Sequence, residues 1–194
     1  MSLRRAFMPQ LRPIYIGCEG ASEVGYVGVL NDFVRAANSP LHLIIEELGP
    51  GAGDPLARVE MAVRRIATIG RKRIAPVARF VLLDADQTER DPARAERARR
   101  LAHENDITIV WQEPCFEAVL LRHHEGRAGN RPPDTPRAQA AIAREWPGYR
   151  KPMARAEFAR RIDLAALQRV ATVEPELAGL LRCLGLLAPE AKNP

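Results

Sequence analysis

Three acidic residues stand where short apolar runs end. Glu19 follows Arg12 to Cys18 (RPIYIGC), and Asp84 and Asp86 follow Ala78 to Leu83 (ARFVLL). Residues two apart on an extended segment point the same way, so Asp84 and Asp86 are expected to aim at one point. Glu19 converges on that point if the two runs are neighbouring strands. Three carboxylates in one pocket repel one another, and desolvation raises the cost of keeping them ionised. A bound Mg²⁺ (or Mn²⁺) relieves both, since it prefers hard oxygen ligands. Such a cation activates water and offsets charge developing on a phosphoryl group, so phosphodiester chemistry is the expectation. The competing reading of D-x-D after a strand is a turn and helix cap. A carboxylate ending a second buried run weighs toward the metal site.

Around this set stand residues with two readings each. Glu23 lies one turn into the helix that follows Glu19, close enough to join the site, yet also favourable to the helix dipole. Glu117, in Glu113-Pro114-Cys115-Phe116-Glu117, divides in the same way between a metal or water-positioning role and a first-turn acid. Lys151 lies in a loop between helices, where it meets a substrate phosphate or forms an exposed basic turn. His123 and His124 cannot share one helix face and are read as charged imidazoles at a helix C-terminus rather than a zinc pair. Cys18, Cys115 and Cys183 are odd in number and far apart, which argues against a disulfide framework or a cysteine zinc site. Cys115 is read as packing. The glycine-rich loop Gly49 to Gly53 offers N–H groups to a phosphate but lacks G-x-x-x-x-G-K-[ST], and Asp54 beside it repels anions.

The elements that must position these residues read as strands over 12–18, 41–48, 78–83 and 107–111. Between them lie helices. Tyr26, Val27, Leu30, Phe33 and Val34 recur at helical spacing behind Ser22 as N-cap. Leu56, Val59, Val63, Ile66 and Ile69 do so behind Asp54-Pro55, with Gly70 as terminator. Asp91-Pro92 repeats the device for a helix through about Glu104, and a short helix carries Phe116, Val119 and Leu120. The strand–helix alternation predicts an α/β fold, a mostly parallel sheet flanked by helices, with its site at the carboxyl ends of the strands. Residues 126–136 (GRAGNRPPDTP) read as a mobile or partner-facing loop. Helices over roughly 137–145, 153–170 and 174–187 form a C-terminal appendage. The organisation expected is a core over 1–125, then a linker loop and helices over 126–194 packed on it.

At 194 residues, 46% hydrophobic and 27% charged, the chain suits one soluble domain. No run approaches the roughly 18 apolar residues of a membrane span. Met1 to Met8 lacks a signal-peptide stretch, so a cytoplasmic location is expected. A net charge of +5 and a pI near 9.6 admit a polyanionic partner. The clusters Arg71-Lys72-Arg73, Arg97-Arg99-Arg100, Arg150-Lys151 and Arg160-Arg161 read mostly as solvated faces.

Five segments resemble, in order, those of RloB-like proteins. Ile16 to Glu23 (IGCEGASE) with Tyr26 is similar to their CEG-x-x-TE-x-x-Y opening. Gly49 to Glu60 (GPGAGDPLARVE) is similar to their glycine-rich loop and D-P-x-x-x-V-E helix start. Phe80 to Asp86 (FVLLDAD) matches their strand and D-x-D. Glu113 to His124 (EPCFEAVLLRHH) resembles their NPCFE-x-W-x-x-x-H segment, and Tyr149 to Lys151 their Y-x-K. The resemblance implies a Toprim/Rossmann-like fold in which Glu19, Asp84 and Asp86 bind Mg²⁺ to break phosphodiesters. Glu23, Glu117 and Lys151 match further polar positions. It also implies a nuclease of a restriction or phage-defence locus, acting on DNA or RNA, with an AAA/ABC-type ATPase as partner. Departures are Ser22 for the usual Thr, Glu113 for Asn, and Ala118-Val119 near the expected Trp. Two alternatives stay open: a non-catalytic Toprim-like module that binds nucleic acid or the ATPase, and a small-molecule phosphotransferase with a deep enclosed pocket.

Overall fold

The structure is a computed structural model and describes residues 11–49, 54–72 and 74–189. Most of the glycine-rich loop, together with Arg73 and the segment read for a signal peptide, lies outside the described residues. Among the described residues the chain alternates β1 (Arg12–Cys18), α1 (Ala21–Ala36), β2 (Leu41–Glu47), α2 (Pro55–Lys72), β3 (Ala78–Asp84), α3 (Pro92–Glu104), β4 (Thr108–Gln112) and α4 (Phe116–His123). Then come α5 (Thr135–Glu145), α6 (Arg155–Phe158), α7 (Leu164–Ala171) and α8 (Pro175–Cys183). The four strands form one all-parallel sheet in the order β2-β1-β3-β4. No helix among the described residues is long and apolar enough to cross a membrane.

Alternation along the strands splits the core into two layers. Ile14, Ile16 and Cys18 of β1, with Phe80 and Leu82 of β3 and Val110 of β4, pack against α1, α4 and the C-terminal helices. Tyr15, Val81, Leu83 and Ile109 face α2 and α3 on the other side. The apolar stripe predicted for α2 supplies Leu56 and Val59 to that second layer. Because parallel strands are buried on both faces, they read as continuous apolar runs rather than alternating ones. Ile142, Phe158, Leu167 and Leu181 share the first layer, so the helical region after α4 is packed into the same core as the sheet.

Local chemistry explains where several helices begin. Asp91 caps α3 by accepting from Arg94 N–H at 3.0 Å, and Asp54 accepts from Leu56 N–H at 3.1 Å, as their Asp-Pro pairs predict. Three boundaries differ from the sequence reading. The N-cap of α1 is Gly20, without a side-chain cap, because Ser22 Oγ accepts from Met153 N–H at 3.1 Å instead. Helix α2 runs past Gly70 to Lys72. The expected 153–170 helix is two, because Asp163 caps a new start by accepting from Ala166 N–H at 2.7 Å. The loop over 126–136, expected to be mobile or partner-facing, is tied down. The fully buried Arg122 donates to Asn130 O at 3.0 Å and to Glu113 O at 2.7 Å, and pairs with Glu174 at 2.7 Å.

Candidate functional site at the carboxyl edge of the sheet

Strands β1 and β3 are direct neighbours. From β1 the chain crosses to β2 on one side, and from β3 to β4 on the other, so their carboxyl ends border the topological switch point where open α/β sheets bind ligands. Glu19 follows the last residue of β1, and Asp84 is the last residue of β3. The Glu19 carboxylate spans the two strands by accepting from Asp84 N–H at 2.9 Å. Asp84 follows Phe80 and Leu82 onto the α1/α4 face, and its Oδ1 accepts from Phe116 N–H, the first residue of α4, at 2.8 Å.

Strand alternation carries no further than Asp84. The chain turns through Ala85 to Arg90, and Asp86 accepts from the Thr135 hydroxyl at 2.9 Å. Asp84 and Asp86 are thus held by different elements rather than by one shared partner. Asp86 remains close enough to act on the Glu19 charge, and it borders a cleft of about 630 Å³ that also touches Arg90, Glu113, Arg122 and Arg131.

The residues with two sequence readings come together on the α1/α4 side. Glu23 and Glu117 sit in the first turns of α1 and α4 and are only 3% and 1% exposed. The Glu117 Oε1 pairs with Lys151 Nζ at 2.8 Å and accepts from the Tyr149 hydroxyl at 3.3 Å. Its Oε2 is buried without a hydrogen-bond partner among the described residues. Lys151 reaches this point because the chain after α5 lies directly on α1. A Cβ on Gly25 would come within 2.6 Å of the Met153 carbonyl oxygen, so only glycine permits that approach.

The charges are strained. Burial pushes Asp84 up to about 8, and the charges of Glu19 and Glu23 add to the rise against Lys151 and the Phe116 N–H. Burial likewise pushes Glu23 up to about 7, with Glu19 and Glu117 adding to it. Glu19 is raised by burial, despite the Asp84 N–H and the nearby Arg58 and Lys151. Burial alone would lower Lys151, but its hydrogen bond to Glu117 and the charges of Glu117, Asp84 and Glu23 hold the ammonium above its ordinary value.

A scan against protein-family models and searches of curated proteins and of solved structures found no match to this chain. Hard oxygen donors from the β1–α1 turn, α1, β3 and α4, an excess of negative charge, and an orphaned Glu117 oxygen fit a divalent cation. Among the described residues, no three His, Cys, Asp or Glu side chains already stand as a ligand group. The carboxylates are turned instead to backbone N–H groups, Thr135 and Lys151.

The reading of His123 as a charged helix terminus is overturned. It is buried, and burial lowers it to about 4. One ring nitrogen meets Val119 O at 2.9 Å and the other the Tyr26 hydroxyl at 2.9 Å. Neutral His123 can serve both by donating to the carbonyl and accepting from the phenol. Tyr26 and His123 come from two of the resembling segments, so that part of the pattern ties α1 to α4 rather than doing chemistry. Cys115 is buried, and burial pushes its thiol up to about 12, which suits packing and not a nucleophile. Sequence reasoning missed Arg58 and Gln112. Arg58 is 7% exposed on α2, donates to Leu48 O at 2.8 Å and lowers Glu19. Gln112 ends β4 opposite Asp84 with a buried Oε1 that lacks a partner among the described residues. For Gln112 the available signal was a polar residue closing an apolar run, the same one that exposed Glu19, whereas Arg58 lies inside α2 and gave none.

Proposed function

We propose that the acidic edge binds a divalent cation, Mg²⁺ or Mn²⁺, and hydrolyses phosphodiesters of nucleic acid, as a nuclease of a prokaryotic phage-defence or restriction-associated system. One observation carries this reading. Glu19, Glu23, Asp84 and Glu117 gather from four elements at the switch point, the first three raised from their ordinary values and the fourth with a buried oxygen that has no partner among the described residues. Resemblance to RloB-like, Toprim-related proteins supplies the substrate class and the setting. When bound, the cation would polarise the phosphoryl group as a Lewis acid. Glu19, Asp84 and Asp86 would hold it, with Glu23 or Glu117 completing the set. Where Glu117 completes the set, Glu23, which burial raises in the cation-free site, would be left to accept a proton. Lys151, its side chain 42% exposed, would turn from Glu117 to the scissile phosphate.

Purified chain with Mg²⁺ or Mn²⁺ should cut DNA or RNA, and Asp84→Ala should abolish the cutting. Cleavage unchanged in that variant would overturn the assignment. A second reading, a Toprim-like module that binds nucleic acid or a partner ATPase and cuts only in complex or never, is favoured by the carboxylates' present engagement with N–H groups and Lys151. Cleavage that appears only when a co-purifying ATPase is added would select its partner-dependent form.

A further inference from the structure

At the far end of α4 lies a second polar cavity, of about 260 Å³, lined by His123, His124, Glu125, Arg160, Arg161 and Arg169 among others. It is separated from Glu117 by roughly 9 Å along the helix axis, at 1.5 Å per residue. Arg160 and Arg161 follow α6, and Arg169 comes from α7. Among the described residues neither Arg160 nor Arg161 has a carboxylate in an ion pair. Arg161 instead lies over the Trp146 ring at 5.4 Å. Arg169 donates to His123 O. His124 stands edge-on to the same Trp146 ring at 5.9 Å, and its Nε2 is buried with no hydrogen-bond partner among the described residues. Burial lowers His124, and Arg161, Arg169 and Arg127 add to this against Glu145, so positive charge already crowds the imidazole.

We propose that this cavity binds a phosphate group. Three guanidiniums, two from the segment after α6 and one from α7, line it beside the His124 ring. One carboxylate satisfies a single guanidinium fork, whereas a phosphate monoester brings three acceptor oxygens and close to two charges. The volume suits that group alone, because pockets for whole drug-sized ligands run from about 300 to 1,000 Å³. Two effects oppose an anion, and both are blunted. The C-terminal carbonyls of α4 disfavour negative charge, but Arg169 occupies that of His123. Of the two carboxylates at the cavity, Asp163 is engaged in capping Ala166 N–H and Glu125 is exposed to solvent. This site is independent of any cation at the carboxyl edge. Its phosphate is the terminal monoester of a free nucleotide or of a nucleic-acid strand.

The test uses Trp146 as reporter. In the full chain carrying Trp111→Phe, Trp146 is the remaining indole. Inorganic phosphate, uridine 5′-monophosphate and a short 5′-phosphorylated oligouridylate are titrated against chloride at matched ionic strength. A saturable change in Trp146 emission is expected with phosphate and not with chloride. It should weaken about tenfold or more in Arg160→Glu, a change of an exposed side chain, and persist in Asp84→Asn. The ring ¹⁵N resonances of His124 should move with the same midpoint. Tighter binding of the mononucleotide than of the oligomer assigns a free nucleotide, and the reverse assigns a strand. No saturable response in the parent, or an Arg160→Glu protein that titrates like it, overturns the proposal.

Discussion

Replacing the central carboxylate should strengthen the fold while it removes the proposed chemistry. Asp84 is raised from an ordinary 3.8 to about 8, first by burial and then by Glu19 and Glu23. Between those values the folded protein binds more protons than the unfolded chain, so stability falls as pH rises from about 4 to about 8 and levels off above that. At about 1.4 kcal/mol per pH unit the gap sets a ceiling of about 5 to 6 kcal/mol. Solvent access at the sheet edge reduces this. The Asp84→Asn side chain keeps an oxygen for the Phe116 N–H now bonded at 2.8 Å, so that bond need not be lost. We expect the variant to gain about 2 kcal/mol at pH 8.5 and almost nothing at pH 4.5, on the scale of the discounted shift. Urea unfolding of both proteins across that range, without divalent cations, measures the difference. Saturating Mg²⁺ should stabilise the parent and narrow the gap. A variant less stable than the parent at pH 8.5, or a gain that does not grow with pH, would refute the account of the strained edge.

Lys151→Met should destabilise the cation-free protein by about 1 to 3 kcal/mol, less than a fully buried pair would cost because the lysine is half-exposed. Added Mg²⁺ should restore much of this in a thermal melt, whereas an unaltered melting temperature would mean the Glu117 contact is incidental. Gly25→Ala should cost about 1 to 3 kcal/mol through the clash with Met153 O, and the loss should appear in a urea titration. His123→Leu should cost about 2 kcal/mol at neutral pH by orphaning the buried Tyr26 hydroxyl. In the parent, His123 at about 4 instead of an ordinary 6.5 gives stability that is complete above pH 6.5 and lost as pH falls toward 4. The Leu variant should lose that part of the acid sensitivity in melts run from pH 7 to pH 4.

The sheet was legible because its grammar is local. Buried parallel strands appear as apolar runs, Asp-Pro pairs mark helix starts, and carboxylates that close apolar runs stand out against the statistics of burial. Glu19 and Asp84 were reached that way, and the β1–β3 pairing brings them together. What failed was reasoning that extended a local rule past the element that sustains it. Asp86 inherits no strand alternation, because the strand ends two residues before it. Ser22 looked like a cap because nothing in the sequence near it announces Met153, 131 positions away. His123 looked charged at a helix end because its neutralising neighbours, Tyr26 and the core around it, come from another helix.

The same distinction separates the inner from the outer part of the acidic edge. Glu19 and Asp84 are placed by strand ends, and their positions depend on backbone hydrogen bonds within the sheet. Glu23, Glu117 and Lys151 are placed by packing between α1, α4 and the segment after α5, which in turn depends on Gly25 and Ser22. A sequence that merely tolerated buried acids would be expected to satisfy them all, since an unpaired buried carboxylate costs several kcal/mol. Among its described residues this chain instead leaves Glu117 Oε2 without a partner, holds Asp84 near 8, and gathers one lysine against four acids. Strain of that kind persists where the surrounding fold over-determines it, and it concentrates at functional sites. A divalent cation would resolve this conflict at once, and that is the physical ground on which the cation site is proposed.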